Sequence, residues 1–168
     1  MRVLVIAGLV YLGIATAASA ADQEANKQFY RSYIEDMWNK RNPDAAERYL
    51  APNFIEHNQN LPPGLDGRKK FVASVLGAFS DYHAEIQEVI AEDDKVVARV
   101  LWTGTQDGPY QGRPATGKKL RFSTADFFRM ENGKFAEHWD VVDSLPRAVA
   151  LGLVPAPNPP SQAAPKSP

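Results

Sequence analysis

Residues 119–142 read KLRFSTADFFRMENGKFAEHWDVV, and the fold is decided here. Asn132-Gly133 is the strongest short hairpin signal in the chain, because a type I′ turn needs positive φ at both central positions and Asn and Gly adopt it most readily. The flanking runs, Lys119–Glu131 and Lys134–Val142, are rich in the aromatic and β-branched residues of strands. Upstream, residues 82–92 and 95–106 have the same character around a turn at Asp93-Asp94, and Gly108, Gly112, Pro114 and Gly117 mark a looser connection. Further upstream the period lengthens to that of helices. Phe29, Tyr33, Met37 and Trp38 fall near helical spacing within 22–39. Asn42-Pro43 supplies an N-cap and a Pro at the first helical position of a short second helix. Residues 52–57 read as an extended segment and 58–64 as a polar loop. Asp66 caps a third helix over 67–79, with Phe71, Val72, Val75, Leu76 and Phe79 on one side. A closing helical turn is read over 146–153. Helices followed by consecutive antiparallel strands predict an α+β fold.

The chain has 168 residues, 44% of them hydrophobic, with 19 Lys+Arg against 20 Asp+Glu and no Cys. That length supports one domain with a real core and excludes a disordered chain or a coiled coil. The near-neutral balance argues against a nucleic-acid partner. Without Cys there are no disulfides, thiolate metal sites, Cys nucleophiles or lipoprotein anchor. Residues 1–20 have the layout of a secretory signal peptide: Met1-Arg2, an apolar run over 3–15, and an Ala18-Ser19-Ala20 cleavage site. The run is too short to span a membrane comfortably. The mature protein is therefore expected to start near Ala21, carry no membrane anchor, and be periplasmic or secreted. Residues 155–168 contain six Pro and form neither helix nor sheet, so they read as a disordered tail. The folded domain is expected over 23–154.

His57, His83 and His138 lie far apart and in no HxxxH or HExxH pattern, so no metal site is expected. There is no GxSxG, P-loop or dinucleotide fingerprint. What remains is acid/base chemistry by His, Asp and Tyr. Asp126, set among Phe122, Phe127 and Phe128, is costly to ionise if it faces the core. If Asn132-Gly133 is a two-residue turn, Asp126 stands opposite Trp139. Alternation then puts Asp126, Glu137, Trp139 and Val141 on one face, and Phe127, His138 and Asp140 on the other. A single bulge reverses this. Phe122, Thr124, Asp126 and Phe128 share a face and form an aromatic wall. His83 reads as a strand-edge residue, Arg68, Lys69 and Lys70 as a solvated patch, and Lys118, Lys119 and Arg121 as loop-edge charges.

The stretches STADFFRMENGKFAEHWDVVD and AERYLAPNFIEHNQNLPPGLDGRKKF resemble the closing hairpin and the helix-to-first-strand region of SnoaL-like polyketide cyclases. These belong to the nuclear-transport-factor-2-like superfamily, together with the ketosteroid isomerases. The resemblance covers residues 26–153. It implies a cone: a strongly curved antiparallel sheet wrapped against three helices around an apolar cavity. It further implies His57 as a general base, Asp126 as an acid/base or oxyanion partner, and Tyr33 as an oxyanion donor, with Tyr30 one turn earlier as its competitor. Asn58, Phe122, Phe128, Glu137, Trp139, His138 and Asp140 complete the candidate substrate-binding set. The expected partner is a small apolar carbonyl compound, and a homodimer is expected. No cofactor is expected, since proton transfer with a stabilised enolate is within reach of side chains alone. The alternatives are a non-catalytic binding domain and a dimeric interaction module.

Overall fold

The computed structural model describes residues 20–157. The expected signal segment, apart from Ala20, and the tail beyond residue 157 lie outside them. Pro155, Ala156 and Pro157 are exposed chain without helix or strand. Among the described residues no helix is long and apolar enough to cross a membrane.

Helix α1, Ala20–Tyr33, runs directly into a π-helical turn, Ile34–Asn39. The backbone N–H of Lys40 donates to Glu35 O at 2.8 Å and that of Asn42 to Met37 O at 3.1 Å, both five residues back. The wider turn keeps Ile34, Met37 and Trp38 buried together. Asn42 caps the next turn by accepting from the Asp44 N–H at 3.2 Å, with Pro43 at the first position. Helix α2, Ala46–Tyr49, leads into strand β1, Leu50–Glu56. Helix α3 spans Gly64–Ala78, starting three residues earlier than the sequence predicts. Its N-cap position is Pro63, and Asp66 lies inside the first turn. Strands β2, His83–Glu92, β3, Lys95–Thr105, β4, Lys119–Glu131, and β5, Lys134–Val142, follow, then helix α4, Ser144–Ala150. Asn132 at φ 51° and Gly133 at φ 73° make the predicted turn.

The sheet order is β1-β5-β4-β3-β2. The three pairs from β2 to β5 are antiparallel hairpin neighbours, but β1 pairs with β5 in parallel. The expected all-antiparallel sheet is thus mixed at one edge. The chain leaves β1 through α3 and returns to it only by way of the whole meander, so no hairpin dictates its direction. Bulges within β2 and β5 bend the sheet. One face packs on α1, the π-helical turn and α3, and carries the core: Val96, Ala98, Val100 and Trp102 on β3, with Leu120, Phe122 and Phe128 on β4.

Gly67 fixes the approach of the 57–63 loop to α3. A Cβ built there would lie 2.6 Å from both the carbonyl carbon and oxygen of Pro62. Backbone cannot swing aside as a flexible side chain can. Gly67→Ala is expected to destabilise the protein by about 1–3 kcal/mol and to displace that loop. Thermal melts and limited proteolysis at Asn58–Pro63 check this; an unchanged melt and cleavage pattern would contradict it.

Candidate active site

A cavity of about 580 Å³ opens between the sheet, the π-helical turn and α3. Alternation along β4 turns Phe122, Thr124, Asp126 and Phe128 inward, and all four line it. Trp102, opposite Phe122, donates its Nε1–H to Thr124 Oγ1 at 2.9 Å, so the indole is satisfied within an otherwise apolar wall. Trp38 meets Trp102 edge-on with ring centroids 4.9 Å apart, and Tyr82 stacks on Trp102 at 5.4 Å. Tyr33, Ile34 and Phe71 extend the lining.

Strand β5 departs from the sequence prediction. Glu131 and Met130 face Lys134 and Phe135 as a two-residue turn requires, but Arg129 then faces Glu137, with Ala136 as the extra residue. From there the register is displaced by one, and Asp126 pairs with Asp140 while Phe127 pairs with Trp139. The predicted faces are therefore exchanged. His138, 2% exposed, and Asp140 line the cavity beside Asp126. Glu137 and Trp139 point to the outer face, where Trp139 is 36% exposed.

His57 lies on that outer face as well. Phe54 is buried on β1, so alternation buries Glu56 and turns Ile55 and His57 outward. The His57 ring stacks on Trp139 with centroids 4.3 Å apart, and its Nε2 is 2.7 Å from Glu137 Oε2. Glu137 also accepts from Arg129 Nε at 2.6 Å. The His57 hydrogen bond and then Arg129 outweigh desolvation and hold the Glu137 carboxyl below the usual range. His57 is not among the residues lining this cavity; it lines a smaller pocket beside it that shares Asn58, Asn60 and Asp140. The residue at the β1 end that does reach the cluster is Glu56.

Glu56 and Arg68 form a buried pair under His138. Their side chains are 1% and 5% exposed, with Arg68 Nη2 3.1 Å from Glu56 Oε2. Arg68 is thus no solvated patch. It falls on the helix face that also carries Val72, Val75 and Leu76. His138 Nδ1 lies 2.9 and 3.0 Å from the two Glu56 oxygens, and 2.8 Å from Arg68 Nη2. A guanidinium only donates and its paired carboxylate only accepts. Nδ1 therefore serves one of them at a time: bare it accepts from Arg68, and carrying a proton it donates to Glu56. Nε2 is directed toward the cavity, 4.0 Å from Asp126 Oδ1. Burial raises the Glu56 pKa, but the His138 hydrogen bond and the Arg68 charge outweigh it, and the carboxyl lies below its ordinary value.

Asp126 accepts a 2.7 Å hydrogen bond from Tyr30 Oη, so the competitor, not Tyr33, is its phenolic partner. Burial and then the Asp126 charge raise the Tyr30 pKa well above its ordinary value. Tyr33 lines the cavity wall, its hydroxyl pushed up to about 12 by burial. Asn58 donates from Nδ2 to Asp140 Oδ1 at 2.6 Å, and its own N–H donates to Glu56 Oε1 at 3.0 Å. Burial raises the Asp140 pKa, with His138 and Asn58 partly opposing it. Asp126, His138 and Asp140 present ligand atoms within 4.8 Å of one another, close enough to hold a metal ion as well as to share protons.

The raised Asp140 pKa has a consequence for stability. A carboxyl that holds its proton more tightly when folded than when unfolded favours folding at low pH. That contribution is lost as pH rises through the folded pKa. Asp140→Asn, which keeps an oxygen for Asn58, is expected to melt above wild type at pH 7. The gain should vanish below the ordinary Asp carboxyl value of 3.8. Melts from pH 3 to 8 check the sign; a variant less stable at pH 7 would contradict it.

Three comparisons agree on ancestry. The model of the SnoaL-like polyketide cyclase family matches residues 27–151. Aklanonic acid methyl ester cyclase DnrD of Streptomyces peucetius is 32% identical over 131 residues, covering 73% of this chain and 87% of the relative. The corresponding cyclase DauD of Streptomyces sp. strain C5 is 31% identical over 147 residues, covering 77% and 88%. Among solved structures, TsrD from Streptomyces laurentii superposes with a TM-score of 0.71 at 27% identity, over 78% of this chain and 97% of TsrD. The chain is a member of the SnoaL-like polyketide cyclase family, a family of enzymes.

Proposed function

We propose that this protein closes a carbon ring within a small carbonyl compound by an aldol-type reaction, using side chains alone. The observation that carries the reading is the position of His138. Its Nδ1 is held by a buried carboxylate, and its Nε2 is directed into an aromatic cavity beside Asp126 and Asp140. His138 Nε2 takes a proton from the carbon α to a carbonyl. The enolate carbon attacks a second carbonyl carbon of the same molecule, forming one carbon–carbon bond. Asp140, whose pKa burial raises, gives its proton to the new alkoxide. The proton on His138 then returns to Asp140 within the cluster, and the product is an isomer of the substrate. Asp126, fixed by Tyr30, faces the imidazolium that forms. The wall of Phe122, Trp102, Tyr82 and Phe128 selects a flat apolar body.

Aklanonic acid methyl ester, named for two relatives, is the first substrate to test. Conversion to a chromatographically distinct isomer of equal mass supports the reading. Tight binding without conversion would favour a non-catalytic binding domain. We further propose export through the Ala18-Ser19-Ala20 site, and a homodimer through the outer sheet face, where Phe127, Trp139 and Val141 are 39%, 36% and 66% exposed. Terminal sequencing of the protein from cell fractions, and light scattering, check these two.

A further inference from the structure

The cavity is electrically lopsided. Its acidic groups, Asp126, Asp140 and the Glu56 behind His138, gather at one end. Two further cations line it, Lys70 on α3 and Arg147 on α4. Neither is paired with a carboxylate among the described residues, whereas the neighbouring Lys69 is bound by both Asp44 and Glu47, and Arg68 by Glu56. Arg147 is held in place without losing its charge. Its guanidinium carbon lies 5.7 Å from the centroid of the Phe122 ring, and its charge partly offsets the burial that raises the Tyr110 pKa. A guanidinium lying over a ring still has donors along its edge for a carboxylate.

The strand supplies a ruler. Phe122 and Asp126 are four residues apart on β4, which is about 13 Å at the rise of an extended chain. Phe122, Thr124, Asp126 and Phe128 all face the same way along it. The molecule that fills the cavity therefore meets a cation over Phe122, an aromatic wall, and proton-transfer groups about 13 Å further on.

Resting on the ring-closure reading above, we propose that the natural substrate is an anion. It is a carbonyl compound carrying a free carboxylate that Arg147 binds over Phe122, at the far end from the reacting carbons. An esterified carboxyl at that end has no charge to meet the guanidinium.

The test uses a flat aromatic ketone carrying a free carboxylate about 13 Å from its carbonyl, and the methyl ester of the same compound. Binding to the protein is read by quenching of Trp38 and Trp102, which line the cavity. The free acid is expected to bind about 10- to 100-fold more tightly than the ester, as a charge-assisted contact allows, with the advantage shrinking as salt is added. Arg147→Gln should narrow the acid-to-ester ratio, and Arg147→Lys, which keeps the charge, should retain most of it. Equal affinity for acid and ester in wild type, or a ratio left unchanged by Arg147→Gln, would overturn the anionic substrate while leaving the cavity reading standing. Quenching by neither compound would overturn the cavity reading and this inference with it.

Discussion

His138→Gln is expected to lower turnover by about 10²- to 10⁴-fold, the loss typical of removing a positioned acid/base group. Gln has roughly the reach of the imidazole and can still accept or donate toward Glu56, so the pocket should remain filled. It has no site that takes up a proton near neutral pH. The loss should fall mainly on kcat, since the aromatic wall that holds the substrate is untouched. Glu56→Gln separates positioning from proton transfer. It keeps an acceptor for Nδ1–H but removes the charge that stabilises an imidazolium, and should alter the pH–rate profile as well as its height. His57→Gln, on the outer face, should change turnover less than threefold. Steady-state rates for the three variants check these expectations together. Equal losses for His57 and His138 would contradict the assignment.

The largest stability effect is expected at Arg68. Arg68→Leu leaves Glu56, whose side chain is 1% exposed, as a buried carboxylate without its guanidinium. Breaking such a pair costs about 3–5 kcal/mol. Asn58 N–H and His138 would still donate to Glu56, which offsets part of that loss. The pair itself is not an obvious net gain. Arg68 Nε is buried with no hydrogen-bond partner, and desolvating both ions is expensive. The double variant Glu56→Leu/Arg68→Leu should therefore recover much of the stability lost in the single one. It should not recover activity, because His138 loses the carboxylate that accepts from its protonated Nδ1. Denaturant unfolding of the two singles and the double forms a complete cycle. A double variant as unstable as the sum of the singles would contradict the account, as would one with normal turnover. Acid should act on the same pair. With its folded pKa depressed, Glu56 contributes stability above its unfolded value of about 4.5, and that contribution is lost as pH falls through the folded value.

Much of the fold is legible in the residues. The bounds of β4 and β5 follow from the Asn132-Gly133 turn and the β-rich runs beside it. The helical stretches come from spacing and the Asn42-Pro43 cap. The parallel pairing of β1 is not legible, because nothing local in a seven-residue strand states its partner.

The site is legible in its parts but not in its grouping. Face assignment on β5 depends on counting from the turn, and one extra residue at Ala136 inverts every residue beyond it. The trace of that bulge is two consecutive buried apolar residues, Phe135 and Ala136, where alternation calls for one. On β1 the information was present and pointed away from His57. Phe54 must be inside, hence Glu56 is inside and His57 outside. Arg68 was readable as well, since it shares the helix face of Val72 and Val75. A charged residue on an apolar face looks like an interruption until its buried carboxylate partner is known, and that partner lies twelve residues earlier on a different element.

The most direct test of the proton-transfer account is exchange at carbon. Aklanonic acid methyl ester is incubated in D₂O with the protein, and loss of the α C–H signal is followed by NMR. Wild type should accelerate the exchange, and His138→Gln should abolish the acceleration while His57→Gln preserves it. Exchange that survives loss of His138 but disappears with His57 would place the base on the outer face and contradict the account.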